Sequence, residues 1–564
     1  MCNLLIILDM TKQIEFGADA RKKVVAGIDT VANAVKTTIG PKGRNVVLDS
    51  GFGAPTVTND GVSIAKDIEL SDKFENIGAE LIKEVADKTN DAAGDGTTTS
   101  TIMMQAIVSE GLKFVETGIN PVGIRKGLET AKNDVVELLQ KNSKRVSSKE
   151  EIAQVATISA ENSEMGEMIA NVMELVGKDG VITVEESQTV GLSHDIVDGM
   201  QFDKGYVSPY MITDAESRKA EIKDPAILIT DKKISAINDI LPLLEKIAQS
   251  GKKDLVIICE DLEGEALATL VVNKLRGTMN VLAVKAPEFG DTRKDVLDDI
   301  AIVTGATVIS EEKGMTMENV DLDVLGSAAK VVSTNDNTTI VDGRGVKKAI
   351  KERAEQIARQ IEIEDSSYEQ EKLQKRVAKL SGGVAVIRAG AATETEMSYV
   401  RHKLEDALAA TKAAVEEGVV AGGGTALAKA SILLSVDENF DNEFRAGYKA
   451  LLNALSAPLK QIAMNAGERD AAVVLNAVIE GKGKNFGYNA LTDSYEEDMI
   501  KAGIIDPLKV TRTAIENAVS VASMLLTTEV VITDEPKEEA GADAAAAAMG
   551  GMGGGMPAGM GGMM

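Results

Sequence analysis

A chain of 564 residues has room for about three or four domains and several cores. Its formal charge of -27, from 88 acidic and 61 basic residues, argues against a nucleic-acid partner, because a phosphate backbone needs a positive footprint. Hydrophobic residues at 44% and charged residues at 26% give the profile of a soluble globular protein rather than a disordered one; aromatics at 3%, with no Trp, leave the cores to Ala, Val, Ile and Leu.

The opening, Met1-Cys-Asn-Leu-Leu-Ile-Ile-Leu-Asp-Met10, has an apolar run too short to span a bilayer and lacks the basic flank of a signal peptide. Met10 is a candidate initiator, and residues 1–9 are left outside the fold. No other stretch has membrane length, so no membrane partner and a cytoplasmic setting are expected. Val24, Ile28, Val31 and Val35 share one face and predict a helix over 18–39, stopped by Gly40-Pro41. A strand is expected at Asn45–Leu48, then turns at 51–55 and 58–61. Phe74, Ile77, Leu81 and Val85 predict a helix running into Thr89–Met103, and Ile102, Ala106 and Ile107 begin another beyond it. The first block is thus mainly helical to about residue 141.

From Gly177 the texture changes. Val181–Val184 reads as a strand, followed by three strand-then-helix units: Ala226–Ile229 with 233–248, Leu255–Cys259 with 263–276, and Val281–Val284 with 292–303. That alternation predicts an α/β domain with a largely parallel sheet. One or two long charged helices are expected over 345–380, a strand at Val384–Ile387, a helix over 396–417, and mostly helix to about 530. The segment from Ala540 to Met564 is rich in Ala, Gly and Met and reads as a mobile tail. Cys2 and Cys259 cannot make a disulfide framework, and Cys259, ending an apolar strand, reads as a buried inert thiol. His194 and His402 have no companions at zinc-ligand spacing.

The stretch with most chemical content is Asp95-Gly-Thr-Thr-Thr99, a Gly-flexed turn feeding a helix N-terminus, where free N–H groups and hydroxyls suit a phosphate. A carboxylate beside a triphosphate is repelled unless a cation lies between them, so a phosphate here implies Mg²⁺. The sequence has no Walker A motif and no strand followed by Gly-x-Gly-x-x-Gly. Four further stretches are able to complete a site: Thr38-Ile-Gly-Pro41, Asp60-Gly61, Asp406 within Leu404–Leu408, and the glycine-dense Gly418–Gly424. Each also reads as ordinary structure: turn, turn, solvated helix face, helix C-cap; Asp95 likewise sits well in a plain capped helix. Spacing alone does not join residue 95 to residue 406.

Asp95–Thr99, Thr38–Asn45, Asn59-Asp-Gly-Val62, Glu405–Leu408, Gly418–Gly424 and the Gly-Gly-Met end together resemble a group I chaperonin, the bacterial and organellar sixty-kilodalton family, in order from about Phe16 to the last residue. The resemblance implies a multidomain α and α/β subunit: an equatorial ATPase domain (10–141 and 417–534), a hinge-like intermediate domain (142–197 and 385–416), an inserted α/β apical domain (198–384) and a flexible tail (535–564). It implies ATP with Mg²⁺ and K⁺, two stacked seven-membered rings, non-native polypeptides as substrates and a ten-kilodalton co-chaperonin ring. By motif, Thr38, Ile39, Gly40, Pro41 and Asn59 would lie along the nucleotide, Asp95 would bind the metal, and Gly96, Thr97, Thr98 and Thr99 the phosphates. Asp406 would position the attacking water, supported by Asp60. Gly423, Asn489, Ala490, Leu491 and Asp506 would surround base and ribose. Tyr206, Tyr210, Met211, Leu241, Leu244, Leu267, Val271 and Val272 would make an apolar substrate rim. The sequence departs from the family pattern at Asn59 (often Lys), Met211 (often Phe), Arg145 (often Pro) and Lys204 (usually Arg). Two rivals are a small-molecule kinase, which would need an added acceptor, and a scaffold of the same fold without hydrolysis.

Overall fold

The structure, a computed structural model, describes residues 12–535 apart from 50–54, 161, 178–179, 188, 215–217, 318–320, 365 and 468–469. The expectations for residues 1–9 and for the tail beyond 535 therefore lie outside the described residues. The first block runs β1 (Lys12–Phe16), α1 (Gly17–Val35), β2 (Val46–Leu48), β3 (Thr56–Thr58), α2 (Gly61–Asp67), α3 (Lys73–Ala93), α4 (Thr97–Glu116) and α5 (Pro121–Asn142). α1 stops short of 39. Thr37 and Thr38 donate their hydroxyls to the carbonyls of Ala34 and Val35, and the chain tightens into a 3-10 turn, Lys36–Thr38. α1 and α3 cross where glycines face each other's backbone: a Cβ on Gly27 would stand 1.8 Å from the Glu75 carbonyl oxygen, and one on Gly78 1.8 Å from that of Val24. No residue with a side chain allows that approach.

Next come α6 (Lys149–Ala160), α7 (Ser163–Val176), β4 (Val181–Glu186) and β5 (Gly191–Val197). The α/β insertion follows: β6 (Gly199–Phe202), β7 (Ala220–Lys223), β8 (Ala226–Ile229), β9 (Lys233–Ile234), α8 (Leu241–Gln249), β10 (Asp254–Cys259), β11 (Asp261–Leu262), α9 (Gly264–Leu275), β12 (Asn280–Lys285), α10 (Gly290–Thr304), β13 (Gly326–Ser333), β14 (Thr338–Gly343), α11 (Lys347–Ile363) and α12 (Ser367–Ser381). Its seven-stranded sheet has the order β12-β10-β8-β13-β14-β6, with β7 also on β13. Only β12, β10 and β8 are parallel; the other pairings are antiparallel. The sheet is therefore mixed, because β13 and β14 turn back on each other through Thr334–Asn337 instead of crossing over by a helix. The helix expected from 233 begins only at Leu241, with Pro242 in its first turn, where a missing N–H costs nothing.

The chain closes with β15 (Val384–Gly390), α13 (Glu394–Glu417), β16 (Val419–Ala421), α14 (Thr425–Leu433), α15 (Asn442–Ala454), α16 (Ala457–Asn465), α17 (Ala471–Glu480), β17 (Gly487–Asn489), β18 (Ser494–Glu496), β19 (Ile505–Pro507), α18 (Leu508–Leu526) and β20 (Val530–Asp534). Three large apolar cores organise these elements. Val24, Ile28, Met103, Ile107, Leu128, Leu451 and Ile515 belong to a helical base. Leu228, Ile257, Leu282 and Leu297 belong to the insertion, and Ile169, Ala385, Leu404 and Leu408 to a smaller unit between them. The architecture is multidomain, helical and α/β. The chain leaves and re-enters the base side by side: Lys144 and Val419 exchange two backbone hydrogen bonds of 2.8 Å. Among the described residues no helix is long and apolar enough to cross a membrane. Cys259 is buried, and burial pushes its thiol up to about 12, as expected of an inert core residue.

Candidate functional site

Asp60 begins α2 as its N-cap: one carboxylate oxygen accepts from the Val62 N–H at 3.2 Å, the other from the Ser63 N–H at 2.9 Å and the Ser63 hydroxyl at 2.6 Å. Gly61 must lack a side chain, since a Cβ there would meet Thr98 Oγ1 at 2.5 Å and Thr97 Oγ1 at 2.9 Å. The start of α2 thus lies against the start of α4. α4 is capped by Gly96 in the left-handed region, which offers no side chain to the helix's first N–H groups. Asp95 accepts the Gly96 N–H at 2.5 Å, and Thr38 Oγ1 stands 3.4 Å from Thr98 Oγ1. From the other side, a Cβ on Gly94 would lie 2.2 Å from the Ala409 methyl, one helical turn beyond Asp406 on α13. Four stretches far apart in sequence therefore meet at one place, the candidate cleft.

Its electrostatics follow from crowding. Burial raises the Asp95 carboxyl above the usual range; the Gly96 N–H and Lys403 pull it back, and Asp60 pushes it up. Asp406 is raised well above that range, by burial first and then by the charges of Asp60 and Asp95, with Lys403 opposing. Asp506, on β19, is pushed up to about 7 by burial and by Asp95, while the N–H groups of Gly424 and Gly423 hold it down. A carboxylate such as that of Asp95 is a hard oxygen donor of the kind a divalent cation takes. Among the described residues no group of three or more His, Cys, Asp or Glu is arranged to hold a metal by itself, so a cation here would take further oxygens from its ligand. Lys403, one turn before Asp406, went unnoticed in the sequence because it sits in a run of charged helix residues.

The neighbouring walls are built from the remaining motif residues. Ile39 packs on a cluster that includes Leu459, Ile462, Tyr488 and Ala490. Gly40, with φ +87°, turns against Ile462, and Pro41 is exposed beyond it. Asn489 donates to Glu496 at 3.0 Å and accepts the Leu491 N–H at 3.2 Å; Leu491 itself is exposed. Gly423, with φ +64°, approaches the Tyr488 carbonyl, and Asp506 pairs with Val420 across β16 and β19. Asn59 and Thr99 are partly buried beside Asp60 and Thr98. Sequence reasoning missed Asn465, whose amide reaches the carbonyls of Lys36, Thr37 and Ile39 at 3.0, 3.3 and 3.0 Å and fixes the turn before Gly40.

The residues expected at an apolar rim differ in exposure. Leu241 (39%), Val272 (42%) and Tyr210 (67%) are exposed, while Leu267 and Val271 are half-buried. Leu244 (7%) and Met211 (1%) lie in the core of the insertion, which corrects the expectation for both. On α8 the face formed by Leu243, Leu244 and Ile247 packs inward, and the Met211 sulfur accepts the Ala283 N–H at 3.1 Å. Tyr206 is half-buried against the core of the insertion, with its hydroxyl raised by burial and by Asp91 and Asp336 while Arg218 opposes. Leu275, on α9 beyond Val272, is an exposed apolar residue the sequence did not single out.

The sequence model described as the TCP-1/cpn60 chaperonin family matches residues 31–536, which takes in every stretch that lines the cleft and the whole insertion. With the fold and that match in agreement, the chain belongs to the TCP-1/cpn60 chaperonin family, chaperones of protein folding that bind protein substrates and assemble into rings.

Proposed function

We propose that this chain is the large subunit of a group I chaperonin, an ATPase that captures non-native polypeptides on an apolar rim and encloses them in a ring chamber, promoting folding and preventing aggregation. The base, 10–141 with 417–534, is the equatorial ATPase domain; 142–197 with 385–416 is the intermediate domain; 198–384 is the apical domain. Two stacked seven-membered rings, capped by a ten-kilodalton co-chaperonin ring, complete the assembly. The single observation that supports this most is the meeting of three distant stretches, where Gly61 abuts Thr97 and Thr98, Gly94 abuts Ala409, and the charges of Asp60 and Asp95 act on Asp406.

ATP is the proposed ligand, with Mg²⁺ and K⁺; when bound, the metal supplies charge neutralisation for the phosphates. Asp95 holds it. The N–H groups and hydroxyls of Gly96 to Thr99 bind the phosphate oxygens, and Thr38 to Pro41, with Asn59, run along the nucleotide. Ile39 and Ala490 give the base an apolar wall, while Gly423, Asn489, Leu491 and Asp506 surround base and ribose. Asp406 orients the attacking water and receives its proton, its proton affinity being raised by burial and by the charges of Asp60 and Asp95. Asp60 keeps that affinity high and holds the start of α2 against Thr98. Exposed Leu241, Val272 and Tyr210 and half-buried Leu267 and Val271 offer apolar surface that selects for hydrophobicity rather than sequence. Assignment to group I rests on the run of motifs from Asp95–Thr99 to the Gly-Gly-Met end.

In the Asp406→Ala variant, ATP binding and ring assembly should survive while phosphate release falls by about 100-fold or more. Light scattering and phosphate release on one sample check this, and normal turnover in the variant would overturn the assignment. Hydrolysis by the unmodified protein without any added acceptor separates the proposal from a small-molecule kinase.

A further inference from the structure

α9 buries Ala266 and Leu270, one turn apart, in the core of the insertion. The next residue on that stripe is Lys274, where packing alone would call for another aliphatic side chain. Its ammonium donates to the Met211 carbonyl at 2.7 Å and to the Val281 carbonyl of β12 at 3.3 Å. It is half-buried, and burial lowers its proton affinity with no carboxylate opposing. A desolvated charge is costly unless its donors are engaged, and here two backbone carbonyls engage them. A lysine that merely balanced the C-terminal dipole of α9 would stand over the last carbonyls of its own helix. This one reaches a carbonyl 63 residues away in sequence.

That carbonyl belongs to the last residue of a 3-10 turn, Pro209–Met211, whose middle residue is Tyr210. The segment leading into the turn lies along β12, an edge strand of the sheet: Tyr206 pairs with Val284, and the Val207 N–H donates to the Ala283 carbonyl at 2.9 Å. Met211 is seated by its sulfur on the Ala283 N–H. These contacts fix the turn to the sheet, and Lys274 adds a tie to α9. Val272 and Leu275, both exposed, stand two residues before and one residue after Lys274, and Tyr210 is exposed on the turn.

We infer that Lys274 is a positioning residue for polypeptide capture: its ammonium holds the Met211 carbonyl and thereby sets where Tyr210 stands relative to Val272 and Leu275. Lys274 acts through the turn and α9 rather than by touching the captured chain. A charged donor makes such a tie roughly twice as strong as a neutral hydrogen bond. Apolar side chains already held in place bind more tightly than the same side chains left mobile, because less ordering remains to be done on binding. The consequence for capture rests on the proposed apolar rim; the tie between α9 and the turn does not.

The test uses the assembled full-length protein without nucleotide. The sequence has no Trp, so Tyr210→Trp places a single fluorophore on the turn. In that background Lys274→Met, which keeps the length and loses the donors, should lower the Trp anisotropy and shift its emission. Lys274→Arg, which keeps charge and donors, should restore both. With Tyr210 intact, Lys274→Met should weaken binding of reduced, carboxymethylated α-lactalbumin, a chain that stays unfolded, by roughly three- to tenfold, and Lys274→Arg should return it to within about twofold. Lys274→Gln, too short to bridge both carbonyls, takes the place of Lys274→Met if that variant does not fold. Unchanged anisotropy, or an Arg variant as loose as the Met variant, overturns the tie. Altered anisotropy with unchanged binding overturns the positioning role. An unmodified protein that binds no unfolded chain removes the proposed rim and with it the role in capture, while the anisotropy still decides the tie.

Discussion

Asp506 shows how burial writes a pH signature into one residue. Its carboxyl is pushed up to about 7 in the folded chain, whereas unfolding returns it to the ordinary range near 4. Between those values the folded state holds the proton more tightly, so the stability it contributes is fully present at low pH and is lost as pH rises through about 7. Asp506→Asn removes this titration. Its melting temperature should match the unmodified protein near pH 4 and exceed it near pH 8, and parallel melting curves across that range would contradict the assignment. Asp95 and Asp406 were legible as residue types in suggestive stretches, but their meeting was not. Convergence depends on Gly61 and Gly94 leaving room for the Thr97 and Thr98 hydroxyls and the Ala409 methyl, and a glycine in a sequence does not say what it touches. Lys403 was hidden for a different reason, since a lysine among Arg401, Glu405 and Asp406 looks like any solvated helix face.

At the scale of elements, the turn that ends α1 depends on a partner more than four hundred residues away. Asn465, at the end of α16, supplies the only side-chain amide that reaches the Lys36, Thr37 and Ile39 carbonyls among the described residues. Asn465→Ala leaves those acceptors to water or unpaired, which should cost about 1–3 kcal/mol of stability and loosen the Thr38–Pro41 turn. Denaturant melts measure the first effect; a several-fold weaker ATP affinity measures the second, and an unchanged affinity would show that the turn holds itself. The long helices were readable because their apolar residues repeat at helical spacing over many turns. β6 and β7 escaped because their partners are remote: Gly199 of β6 pairs with Val341 of β14, and Ala220 of β7 with Ser333 of β13, registers no local pattern records. Periodicity on α8 likewise identified a stripe at Leu241 and Leu244 without saying which side was core. Packing against Ile240, Leu243 and Ile247 decides that Leu244 goes inward.

For the whole molecule, the alternation from helical to α/β and back to helical texture disclosed an insertion, because each texture persists over more than a hundred residues. Ring assembly left a fainter trace. β1 with β20 and β2 with β3 are isolated two-stranded ribbons, which are marginal alone, and Ile14, Phe16, Ile532, Val47 and Val57 expose apolar side chains on them. Phe16→Asp with Ile14→Asp should therefore shift the particle toward single subunits in sedimentation while circular dichroism stays native; intact rings would place the subunit contacts elsewhere. The twin crossing at Lys144 and Val419 carries a mechanical consequence. Val420, the next residue, pairs with Asp506, and Gly422 to Gly424 follow directly. The segment that leaves the base at Lys144 is thus stitched, through one short strand, to the peptide groups beside that carboxyl.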